Sequence, residues 1–64
     1  MTRKDYELIA QAINAEYYRK GLRLAAVVAI LDVARSLADA LHKDNPRFDR
    51  EKFVRACTKY EVNQ

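Results

Sequence analysis

The chain has one glycine, one proline, one cysteine and one histidine in 64 residues, and each scarcity excludes something. A single cysteine allows no intramolecular disulfide. One cysteine with one histidine cannot supply the ligand set of a structural zinc site. One glycine cannot build the glycine-rich loop that cradles a phosphate. Strand signals are missing as well: there is no sustained period-two alternation and no Asn-Gly or Asp-Gly hairpin turn. The longest apolar run, residues 24–31, has eight residues, whereas a membrane-spanning helix needs about 20. Asp32, Arg35 and Asp39 then interrupt the run. No internal repeat or low-complexity segment is present.

What remains is a helix-forming composition. Half the residues are apolar, a third are charged, and the net charge is only +3. Such a balance argues against disorder and for an all-α fold. The length sets one domain, residues 1–64. A domain this small buries only about 60% of its unfolded surface. Without disulfides or metal, stability must come from regular helix packing or from self-association. The lone cysteine, and a charged start with no apolar stretch behind it, lead to the expectation of a reducing cytoplasm.

Three helices are expected, at about 2–20, 22–43 and 50–60: a helical hairpin followed by a short carboxy-terminal helix. Thr2 can cap the first, with Asp5 completing a capping box. Tyr6, Ile9, Ala10, Ile13 and Tyr17 then recur at spacings of three and four, with Asn14 as a polar break. Lys20 and Gly21 suit a helix end. A helix running on through Gly21 costs only about 1 kcal/mol relative to alanine, so both readings stay open.

The second helix is apolar over more than half its circumference. Leu24, Val27, Leu31, Ala34, Ala38 and Leu41 form one seam. Ala26, Ile30, Val33, Leu37 and Ala40 form another beside it. A surface helix needs an apolar stripe of only about 100°, so one neighbour cannot cover this one. The polar strip, Asp32, Arg35, Asp39 and Lys43, reads as an exposed ladder of charge pairs.

Residues 45–53 write a helix stop, a turn and a helix start. Pro46 disfavours helix at Asn45. Asp49 is a good N-cap. Phe48 and Phe53 have the spacing of a hydrophobic staple. In the third helix Phe53, Ala56, Cys57 and Tyr60 are expected to face the core. Lys52, Arg55 and Lys59 make a basic stripe on another face.

The chemistry-bearing residues are few. Cys57 on an apolar face reads as a small buried thiol, and His42 near a helix end as a favourable cation. Asp32 and Asp39 are separated by basic partners on a solvated face. No catalytic residue, metal or cofactor is therefore expected, and the chain does not read as an enzyme. Arg47, Arg50, Lys52, Arg55 and Lys59 permit a nucleic-acid interface on the third helix. That turn has no Asn or Gln for reading adenine and no glycine of the helix-turn-helix kind. Tyr17, Tyr18 and Arg19 form a second patch, of residue types enriched where interfaces are strongest. With Leu24, Ile30 and Leu37 they make the expected protein-binding face. A homodimer through the second helix is the favoured reading, with a host protein also possible as partner and no membrane association.

A resemblance rests on both ends of the chain. The start, residues 1–10 (MTRKDYELIA), and the later stretch ARSLADAL at 34–41 belong to it. So do NPRFDR at 45–50, Phe53, and Ala56-Cys57. In these the chain resembles a group of small uncharacterised proteins encoded by tailed bacteriophages, especially those of actinobacteria. About half the residues carry the likeness. Residues 14–32 diverge, and Thr58 stands where group members often have glycine. The resemblance implies a phage gene product acting in the cytoplasm of a bacterial host. The group has no established site residues to carry over.

Overall fold

The computed structural model describes residues 1–59. Among them are three helices, α1 (Arg3–Tyr17), α2 (Leu24–Asp44) and α3 (Arg50–Thr58), and no strands.

Local chemistry explains most of the boundaries. At the start of α1 the Asp5 amide donates to the Thr2 hydroxyl oxygen at 3.3 Å, and the Thr2 amide donates to the Asp5 carboxylate at 2.9 Å. That is the expected capping box, and it satisfies two otherwise orphaned donors. At the start of α3 the Lys52 amide donates to Asp49 at 3.0 Å. Asn45 is extended, with φ −138° and ψ 97°, as the following proline favours. Phe48 and Phe53 staple the turn, their ring centroids 5.4 Å apart.

The end of α1 differs from expectation. The helix stops at Tyr17, and residues 18–23 link it to α2. The Tyr18 amide still donates to the Asn14 carbonyl at 3.3 Å, and its hydroxyl donates to the Thr58 carbonyl at 2.7 Å, at the far end of α3. Gly21 then takes φ 84°, the left-handed region in which glycine carries no Cβ penalty. The first two helices are therefore separate, and α2 begins two residues later than expected, at Leu24.

α1 and α3 run parallel, side by side. Tyr6 meets Phe48 at one end, ring centroids 4.6 Å apart, while Asn14 and Tyr18 reach the carbonyls of residues 57–59 at the other. α3 packs against both other helices, and α1 and α2 touch each other less than either touches α3. The buried core is small: Ala10, Ala34, Ala38, Phe48, Phe53 and Cys57, flanked by Tyr6, Ile9, Ile13, Leu37, Leu41 and Val54. Only two of the six buried side chains are large. Ala56, expected in the core, is exposed; it sits about 100° round the helix from Cys57, and Val54 packs inward instead. Tyr60, the other expected core residue, lies outside the described residues.

Candidate interaction surfaces

α2 divides along its length. From Ala34 onward residues of both seams are occupied by the chain's own helices: Ala34 and Ala38 are buried, and Leu37 and Leu41 pack against the core. Before Ala34 no α2 residue is buried and none belongs to that cluster. Leu24 is 78% exposed, Val28 47% and Val33 60%. Val27, Ile30 and Leu31 are half-buried. Within the amino-terminal ten residues of α2, about 15 Å of helix, Leu24 and Val28 are therefore open on one side, Val33 is open on the opposite side, and Val27, Ile30 and Leu31 are half covered between them.

The expected protein-binding residues fall on both sides of this division. Leu24 is open to a partner. Leu37 packs against the chain's own core, which removes it from the docking face. Ile30 lies between, half-buried. Tyr17 is half-buried with its ring edge-on to Tyr18, centroids 4.9 Å apart. Tyr18 is exposed along its ring but tied through its hydroxyl to Thr58. Arg19 pairs with Glu16 at 3.3 Å. The tyrosines therefore pin the α1–α2 link to α3 before any partner arrives. Val28, not singled out from the sequence, joins the open face. Its position four residues after Leu24, inside the run 24–31, is the signal that marks it.

The basic residues also divide. Arg50 donates to Asp39 at 3.2 Å, joining α3 to α2. This pair takes Asp39 away from the expected ladder with Arg35 and Lys43. Lys52, Arg55 and Lys59 are exposed, spaced by three and four on the side of α3 away from Phe53 and Cys57. Neither they nor the exposed Arg47 make an ion pair among the described residues. Arg47 and Lys52 also edge a groove of about 540 Å³ between the amino-terminal ends of α1 and α3, floored by Tyr6, Phe48 and Phe53.

The reactive side chains have structural surroundings. The Cys57 thiol is fully buried, and burial pushes its pKa up, away from the thiolate that nucleophilic chemistry requires. His42 donates from Nδ1 to the Phe48 carbonyl at 3.0 Å, fastening the end of α2 to the turn. Asp5 is held below the ordinary carboxylate value by the Thr2 amide and hydroxyl. Among the described residues no group of three or more His, Cys, Asp or Glu is placed to hold a metal ion. No helix among them is long and apolar enough to cross a membrane.

Comparison with known proteins adds no further constraint: no family model, curated protein or solved structure matches the chain.

Proposed function

We propose that this chain is a non-enzymatic binding protein, phage-encoded and acting in a bacterial cytoplasm, that works through protein contacts made by the amino-terminal half of α2. Its partner is a second copy of itself, a host protein, or each in turn. One observation carries the reading: Leu24 and Val28, one turn apart on the same side of α2, stand exposed on a helix whose carboxy-terminal half is packed by the chain's own core. Apolar side chains in that arrangement gain about 25 cal/mol per Å² when a partner covers them. The phage origin rests on the sequence resemblance at the two ends of the chain.

The experiment is affinity capture from bacterial lysate, with nuclease treatment, comparing the wild type with Val28→Asp. Loss of protein partners in the variant is the expected result. Identical capture by both proteins would overturn the assignment to α2.

A second reading has its own observation, the stripe Lys52, Arg55 and Lys59 with Arg47 nearby, none ion-paired among the described residues. Such a stripe suits phosphate contacts to DNA or RNA. It predicts binding that weakens steeply as salt rises and falls for all sequences alike in the Arg55→Ala, Lys59→Ala double variant. The absence of any shift with mixed duplex DNA at low salt would dispose of it.

A further inference from the structure

We propose that the groove between the amino-terminal ends of α1 and α3 binds a small aromatic carboxylate. The site lies apart from the open half of α2 and does not depend on it.

Size and floor are the first argument. The groove measures about 540 Å³, inside the roughly 300–1,000 Å³ of small-molecule sites. Its floor is a run of tilted rings. Tyr6 and Phe48 stand 4.6 Å apart between centroids at 54°, and Phe48 and Phe53 stand 5.4 Å apart at 55°. Aromatic rings favour tilted or offset contacts at about 4.5–7 Å. A further ring laid on this floor extends the same packing.

The walls keep that space open. Ala10 of α1 and Ala56 of α3 both line the groove. Ala56 lies one turn beyond Phe53 on the same side of α3 and is exposed. A longer apolar side chain at that position would lie over the rings and fill the room above them.

Charge names the other half of the ligand. Five charged side chains line the groove, Arg3, Arg47 and Lys52 against Glu7 and Asp49, which leaves one net positive charge. Both acids are already engaged. Glu7 pairs with Arg3 at 3.3 Å, and Asp49 accepts from the Lys52 amide at 3.0 Å. The side chains of Arg47 and Lys52 make no ion pair among the described residues. Beside them Asn45 accepts from the Arg47 amide at 3.2 Å through Oδ1, and its Nδ2 has no acceptor among the described residues. An anion at this edge therefore meets two unpaired cations and a neutral donor. A guanidinium fork matches the two oxygens of a carboxylate. One negative charge balances the lining, whereas a dianion would overshoot it next to Glu7 and Asp49.

The test is amide NMR of the isotope-labelled full chain titrated with N-acetyl-phenylalanine. The amides of Tyr6, Phe48, Lys52 and Phe53 should shift saturably, with a Kd below about 1 mM. The neutral N-acetyl-phenylalaninamide should bind at least tenfold more weakly, and so should N-acetyl-alanine, which lacks the ring. The Arg47→Gln, Lys52→Gln double variant should lose at least tenfold in affinity, and Ala56→Leu should block the groove. These three positions are exposed, so helical circular dichroism should stay intact in each variant. Arg55→Gln, on the basic stripe but outside the groove, should bind as the wild type does, which separates this site from the nucleic-acid reading. No saturable shift at roughly ten times that concentration overturns the proposal. Equal affinity for the acid and its amide overturns it as well, as does unchanged binding by Ala56→Leu.

Discussion

The side-chain amide of Asn14 donates to the main-chain oxygen of Cys57 at 2.9 Å, across 43 positions of sequence. The same nitrogen donates to the Lys59 oxygen at 2.8 Å. The carbonyls at a helix end have no partner within the helix. Asn14 supplies one, and so locks the far ends of two parallel helices together. Asn14→Ala should lower unfolding free energy by about 1–3 kcal/mol, read as a lower urea midpoint. Asn14→Asp should cost more, because a carboxylate cannot donate and faces oxygens. Equal midpoints for wild type and alanine variant would show that water serves those carbonyls as well.

Gly21 gives a prediction of a different kind. Nothing lies within 4 Å of where a Cβ would stand, so alanine meets no obstacle there. The strain is in the backbone, at φ 84°. Gly21→Ala should therefore destabilise by about 1 kcal/mol. Gly21→Asn should cost less, because asparagine tolerates the left-handed region. If alanine were neutral in thermal melts, the residue 18–23 link would have to adopt another path.

The contrast between these residues shows what could be read in advance. Everything local was legible. The Pro46 restriction, the Asp49 cap and the Phe48–Phe53 staple all fall within eight residues, so the α2–α3 turn follows from sequence alone. The Thr2–Asp5 cap is legible for the same reason. The end of α1 was not, because Tyr18, the residue that caps it, bonds through its hydroxyl to Thr58, 40 residues away. Asn14 was visible only as a flaw in an apolar stripe. Its use depends on α1 and α3 lying parallel, which no spacing encodes. The over-wide apolar face of α2 was legible too. Which half stays open was not, since that depends on where α3 lands. Hence Leu37 looked available and is spent on the core, while Val28 is open.

The amino-terminal cap of α1 should respond to acid. The Asp5 carboxyl titrates below its ordinary value because the Thr2 amide and hydroxyl favour the charged form. A group depressed in the folded state stabilises it above the unfolded pKa and loses that effect as pH falls through the folded value. The contribution is thus complete at neutral pH and disappears below about pH 4. Asp5→Asn should abolish that part of the acid sensitivity. Thr2→Ala should cost about 1 kcal/mol at neutral pH. Equal stability of wild type and Asp5→Asn at both neutral and acidic pH would remove the cap from the account of α1.

Cys57 should report on unfolding. Its thiol is buried among Phe53, Ala10 and the α2 alanines of the core cluster, and desolvation raises its pKa. A disulfide reagent attacks only thiolate that it can reach. Modification of the native protein should therefore be slow and should follow the population of open molecules, rising with urea along the same curve as the loss of helical signal. The raised value also sets a sign. Unfolded thiol ionises first, so stability falls as pH rises past the ordinary cysteine range. Cys57→Ser would place a hydroxyl in that apolar site and should destabilise by about 1–3 kcal/mol. Cys57→Ala should cost less and should flatten the thiol's part of the alkaline loss. Rapid labelling of the fully folded protein would mean that the packing of α3 on α1 and α2 around Cys57 opens without global unfolding.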